Sequence, residues 1–117
     1  MNKEVLLQNG IDYLEGVARF AGQAEIYEKF LKKFPEDPTF FNMLSALKNK
    51  NYEEAFIFAH TLKGLTGNLS LNTFFRDYLT PFVELLRAPA DVEAVNSSLD
   101  ELKRQYEKTV FAIKSAV

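Results

Sequence analysis

The chain contains one histidine, His60, followed by Lys63, Gly64 and Gly67. A free imidazole titrates near about 6.5, so its ring is largely neutral around pH 7 and can act as nucleophile, base or metal ligand. On a helix, a lysine three residues on shares the histidine's face and stands ready to meet an arriving anion. Gly64 lies one turn beyond His60 and removes the side chain that would crowd the ring. Glycine costs about 1 kcal/mol relative to alanine inside a helix, so two of them on one stripe call for a reason. Other chemistries fit less well. A structural zinc site needs several nitrogen or sulfur ligands, and the chain has no second histidine and no cysteine. A hydrolase would need an unseen Ser or Asp beside His60, and no G-x-S-x-G nucleophile turn is present. There is also no P-loop and no kinase glycine loop.

These residues must be held by helices. Leu (15) and Ala (11) outnumber Val (7) and Ile (4), a balance that favours helix over strand. A short N-terminal helix is predicted over 11–20, with Ile11, Leu14, Val17 and Ala18 at helical spacing, closed by Gly22. The next spans 23–34, with Tyr27, Phe30, Leu31 and Phe34 on one face. Pro35 and Pro38 interrupt the chain, and a helix resumes over 39–48 with Phe40, Phe41, Leu44 and Leu47 apolar. These two pieces are either separate helices or one kinked helix. Asn51 with Glu54 three residues later marks the start of a helix over 52–69. Another is predicted over 71–87, which Thr80-Pro81 must bend or restart. Asp91 is the predicted N-cap of the last helix, whose seam is Val92, Val95, Leu99, Leu102, Tyr106, Thr109 and Ile113. The expected fold is all-α: an antiparallel up-and-down four-helix bundle with an additional short N-terminal helix, one domain over 1–117.

The helix over 52–69 has two faces. At about 100° per residue, Ala55, Phe58, Ala59, Leu62, Leu65, Thr66 and Leu69 cluster in one arc and must face the core. Glu53, Phe56, Ile57, His60, Lys63, Gly64 and Gly67 fall on the opposite side. Phe56 and Ile57 are therefore apolar residues on the face that carries the histidine. A patch of that kind suits docking around a reactive ring.

Composition narrows the function further. Formal net charge is -2 with a pI of about 5.4, which gives no electrostatic footprint for nucleic acid. The longest uncharged run, Gly64 to Phe75, is twelve residues. A membrane-spanning helix needs about 18 apolar residues or more. The residues Met1-Asn2-Lys3-Glu4 lead into no apolar signal segment. The expectation is a cytoplasmic chain, a monomer, with no nucleic-acid or membrane partner.

The segment Ala59-His60-Thr61-Leu62-Lys63-Gly64-Leu65-Thr66-Gly67-Asn68-Leu69 resembles the signature of histidine-containing phosphotransfer (HPt) domains, an H-x-x-K-G core followed by small residues. Gly10-Ile11-Asp12, Arg19-Phe20-Ala21-Gly22, Tyr27 and the stretch from Phe30 to Phe34 resemble that family's lead-in. The resemblance covers about residues 9–87. Two departures stand out. Ser70 occupies a place where the family often has glycine. Thr80-Pro81 interrupts the following helix, and Val83-Glu84 is displaced by about two residues from the family's Leu-Glu pair.

The resemblance implies a four-helix bundle that relays phosphoryl groups between aspartates of receiver domains, in response regulators or hybrid histidine kinases. His60 would carry the phosphoryl group, Lys63 would help hold it, and Gly64 would leave room for the partner's active site. From the helical wheel, the stripe of Phe56, Ile57, Gly64 and Gly67 is the surface such a partner is expected to cover. The magnesium would belong to the receiver, leaving this chain without a cofactor, a metal or an enzymatic activity of its own. The alternative is a helical adaptor that binds a receiver or another protein without being phosphorylated.

Overall fold

The computed structural model describes residues Met1–Val117, and every regular element in it is helical. Local caps explain most of the boundaries. The side chains of Asn2, Asp12, Asn51 and Asp91 each accept a backbone N–H from the first turn of the helix that follows. They open α1 (Lys3–Gln8), α2 (Tyr13–Arg19), α5 (Tyr52–Asn68) and α7 (Val92–Ala116). Asn51 also donates to the Glu54 carboxylate, so that cap is reciprocal.

Between these lie α3 (Ala24–Lys33) and α4 (Thr39–Lys48). They are separate helices and not one kinked helix. A 3₁₀ turn, Phe34–Glu36, holds Pro35, and Asp37 then becomes extended at ψ 127°. The Asp37 carboxylate accepts the Thr39 N–H at 2.9 Å and starts α4 afresh.

The predicted 71–87 helix is divided. Phe74–Leu79 forms a π-helical turn, and α6 (Thr80–Leu86) follows with Pro81 in its first turn. Proline removes a donor, and its ring crowds the carbonyl four residues back. A wider turn relieves both problems. The Thr80 N–H and hydroxyl both reach the Phe75 carbonyl, the hydroxyl at 2.6 Å.

The structure departs from the sequence reading at three helices on the N-terminal side. The opening helix α1 lacks a predicted counterpart; it buries Leu6 and is tied to the end of α7 by the Asn2 N–H on the Ala116 carbonyl. In α2 the buried residues are Tyr13 and Gly16, while Leu14 is 76% exposed. The apolar stripe read for that helix is therefore rotated. In α4 the same slip leaves Phe41 outside and Met43 and Ala46 inside. Val92 and Leu99 stand at the margin of the α7 seam, and the remainder of the seam is buried.

α5 packs against α4 on one side and against the π turn and α6 on another; α7 packs against α1, α3 and α6. Aromatic rings fill much of the core. Tyr106 of α7 stacks on Phe40 with centroids 3.8 Å apart, and Phe34 and Phe74 close around it. No helix is long and apolar enough to cross a membrane.

α2 and α3 brace the C-terminal end of α5. Asp12 donates its N–H to the Ser70 carbonyl at 3.0 Å, and the buried Tyr27 hydroxyl donates to the Leu69 carbonyl at 2.8 Å. That burial raises the Tyr27 pKa, so the phenol stays protonated as the bond requires.

Candidate functional site

The core arc read for α5 is reproduced, whereas Phe56 of the opposite face is half-buried and packs against the core. Ala55, Ala59, Leu62, Thr66 and Leu69 are buried, with Phe58 and Leu65 partly so. His60 is exposed near the midpoint of this 17-residue helix. Lys63 is half-buried one turn on, and Ile57 is 57% exposed one turn back.

The Phe56 ring organises one side of His60. The two rings lie nearly parallel, with centroids 6.0 Å apart at 20°. The Arg87 guanidinium sits over the same Phe56 ring, 5.1 Å from its centroid. Arg87 is held in turn by Glu84 at 3.0 Å. That bond holds the Glu84 carboxyl below its ordinary range, and the nearby Lys63 charge adds a smaller push in the same direction. Arg87 arrives from the segment after α6, so it could not be placed beside Phe56 from its sequence position.

The two glycines differ. A Cβ on Gly64 would meet nothing within 4 Å. Gly64 is the bare, open position that the spacing suggests. Gly67 is half-buried, and a Cβ there would press on the Phe75 ring at 3.1 Å. Gly67 is on the face that carries His60 but is not bare like Gly64: its missing side chain makes room for Phe75 from the π turn.

A cleft of about 340 Å³ opens beside His60, lined by His60, Lys63, Gly64 and Gly67 together with Arg19, Asn68, Asn72 and Phe75. Arg19 comes from the end of α2, and Asn72 and Phe75 from the segment after α5. Sequence reasoning did not assign these three to the site, nor Asn68. Asn68 had a signal, since it is on α5 one turn beyond Gly64. The other three are brought in only by packing. The cleft therefore joins a solvent-facing imidazole to two cations and two amides. Such a lining attracts an anion and offers it donors from two sides. Apart from these, a separate cleft of about 500 Å³ lies on the far side of Phe56, lined by Tyr52, Glu53, Ile57, Leu86 and Arg87 among others.

Glu15 stands behind Arg19. Its carboxyl is held below its ordinary range mainly by the Ser70 hydroxyl, with smaller help from Asn72 and Arg19. A lowered folded pKa means stability that is present above the unfolded value and lost as the pH falls through the folded one. The Glu15→Gln protein is expected to lose part of the wild type's acid sensitivity below about pH 4.5, its ordinary value. Thermal melting followed from pH 7 to pH 3 checks this; parallel curves for the two proteins would contradict it.

The chain matches no protein-family model, no curated protein and no solved structure.

Proposed function

We propose that this protein is a histidine phosphocarrier of the HPt type, taking a phosphoryl group on His60 from a receiver-domain aspartate and passing it to another. In this reading α4, α5, the π turn with α6, and α7 form an antiparallel four-helix bundle, and α1 to α3 close one end. One observation carries the proposal: the single histidine is exposed at the centre of α5, with Lys63 and the bare Gly64 beside it at the mouth of a cationic cleft.

The reaction asks little of the chain. The His60 ring, attacking through Nε2, forms a bond to phosphorus as the bond from phosphorus to the partner's aspartyl oxygen breaks. The carboxylate leaves with the electron pair. The transition state is loose, so positioning and charge stabilisation matter more than covalent machinery. Lys63 stabilises the transferring group, and the partner supplies magnesium and its acidic pocket. Phe56 flanks the His60 ring, and the ring lines the cleft. Phe56 and Ile57 provide apolar contact, and Gly64 lets the partner's surface approach. Gly67 contributes indirectly, through the place it makes for Phe75.

The direct test is to mix the protein with a phosphorylated receiver domain and look by mass spectrometry for one acid-labile phosphoryl group on His60. Its absence across a panel of receivers would remove the reading. Two variants refine it. Lys63→Ala should slow transfer without abolishing it, because the lysine supplies charge and not the nucleophile. Gly64→Gln should be about 0.5 kcal/mol more stable, since glutamine favours helix and meets no obstacle there. It should nevertheless bind a receiver roughly tenfold more weakly, the equivalent of about 1.4 kcal/mol. Titration and rapid quench measure both quantities; wild-type binding in Gly64→Gln would move the docking face elsewhere.

A further inference from the structure

Ser70 occupies a backbone position that ordinarily selects glycine. It follows α5 with φ at 56°. The Leu71 N–H reaches the Thr66 carbonyl and the Ser70 N–H reaches the Gly67 carbonyl, the paired bonds of a left-handed helix cap. A side chain at this position works against the backbone preference. Ser70 is nonetheless fully buried. Its hydroxyl donates to Glu15 Oε1 at 2.9 Å. The same oxygen accepts from Arg19 Nε and Nη2, both at 3.4 Å. A buried hydroxyl thus fixes a carboxylate, and the carboxylate holds a guanidinium whose side chain is 49% exposed. Arg19 lines the His60 cleft, whereas Glu15 does not. A group entering the cleft therefore meets the guanidinium before the carboxylate.

We propose that Arg19 is a second phosphoryl-binding cation of this site, aimed into the cleft by the Ser70–Glu15 pair. The proposal rests on the carrier reading above. A phosphoryl group brings roughly 1.5 to 2 negative charges, more than one lysine offsets. Lys63 also feels the negative charge of Glu84 on α6. Arg19 has donors to spare. Its two bonds to Glu15 are longer than the about 2.7–2.9 Å of strong charge-assisted pairs, and a guanidinium carries about five N–H groups in a planar fork suited to phosphate oxygens. Ser70 and Glu15 are positioning residues in this scheme. Asn72 lines the same cleft and helps hold the Glu15 carboxyl low.

The test uses potassium phosphoramidate, so that no partner protein is needed. The neutral His60 ring attacks phosphorus as the donor's own N–P bond breaks. The donor reacts as its zwitterion, so ammonia leaves as the neutral molecule, and the proton on the second ring nitrogen passes to water. Acid-labile phosphate is followed by phosphorus NMR. Arg19→Gln should label roughly fivefold more slowly than wild type, with Arg19→Lys between the two. Ser70→Gly, which suits the backbone, should keep the melting temperature and label roughly twofold more slowly. The double variant should be no slower than Arg19→Gln alone, because the serine acts only through the arginine. In the labelled protein, the phosphoryl group should titrate at higher pH in Arg19→Gln, since a cation favours its dianion. The loss at Arg19 should also shrink in high salt. A wild type that takes up no phosphate on His60 overturns the carrier reading and this proposal with it. A wild type that labels normally, with Arg19→Gln matching it in rate and titration, overturns this proposal alone. Additive effects of Ser70→Gly and Arg19→Gln would overturn the positioning role.

Discussion

The His60→Gln protein is expected to take up no acid-labile phosphate from any donor, while its stability stays within about 0.5 kcal/mol of wild type. Both halves follow from where the ring sits. His60 is exposed, and the buried stripe of α5 does not include it. Replacing it opens no cavity, and glutamine is a better helix former than histidine. The Phe56 ring loses a stacking neighbour but keeps the Arg87 guanidinium on it. Chemically the change is total, because the chain has no other histidine to take over as the nucleophile. Phosphorylation assays with a receiver and with phosphoramidate check the first half, and thermal melting checks the second. Acid-labile phosphate on the variant would place the reactive group elsewhere.

A large loss of stability from a single small change is expected at Gly16. A Cβ built there would overlap the Tyr27 ring and its hydroxyl, so the ring would have to shift. Tyr27 has no room to retreat. It is fully buried, lies edge-on to Tyr13 with centroids 5.5 Å apart, touches Phe20, and is pinned by its bond to the Leu69 carbonyl. Gly16→Val should therefore cost about 3 kcal/mol, at the upper end of overpacking effects. The damage should extend to the site, because Tyr27 braces the end of α5 next to Asn68 and Ser70. The same residue type behaves oppositely at Gly64, where the space is open. Denaturant melts of Gly16→Val and Gly64→Gln side by side measure the contrast. A Gly16→Val protein as stable as wild type would mean that Tyr27 can leave its slot.

How far the sequence carries the account depends on the range of each interaction. Caps and breakers act over a few residues, so Asn51, Asp91 and the two prolines before α4 mark their boundaries correctly. Periodicity works where a helix is long and one side is wet, and the 17-residue α5 and the 25-residue α7 are of that kind. It misleads in short helices. Seven residues of α2 span about two turns, too few to tell a stripe through Leu14 from one through Tyr13 and Gly16. α1 has six residues and no independent stability, and forms because Leu6 finds a core and Asn2 finds Ala116.

The candidate site divides along the same line. His60, Lys63 and Gly64 lie within one turn of a single helix, so their sharing of an exposed face follows from helical geometry and the pattern of apolar residues alone. The companions of that face do not. Arg19 reaches the cleft because Asp12 and Tyr27 lock the N-terminal helices to the end of α5. Phe75 covers Gly67 because Pro81 forces a π turn. Ser70 accepts a conformation suited to glycine because Glu15, 55 residues away in the chain, receives its hydroxyl. The sequence by itself determined which helix carries the histidine ring and which way the ring faces, since a helix repeats its geometry every few residues. Only the tertiary structure decided what surrounds the ring, since those neighbours meet through contacts between helices that no local pattern encodes.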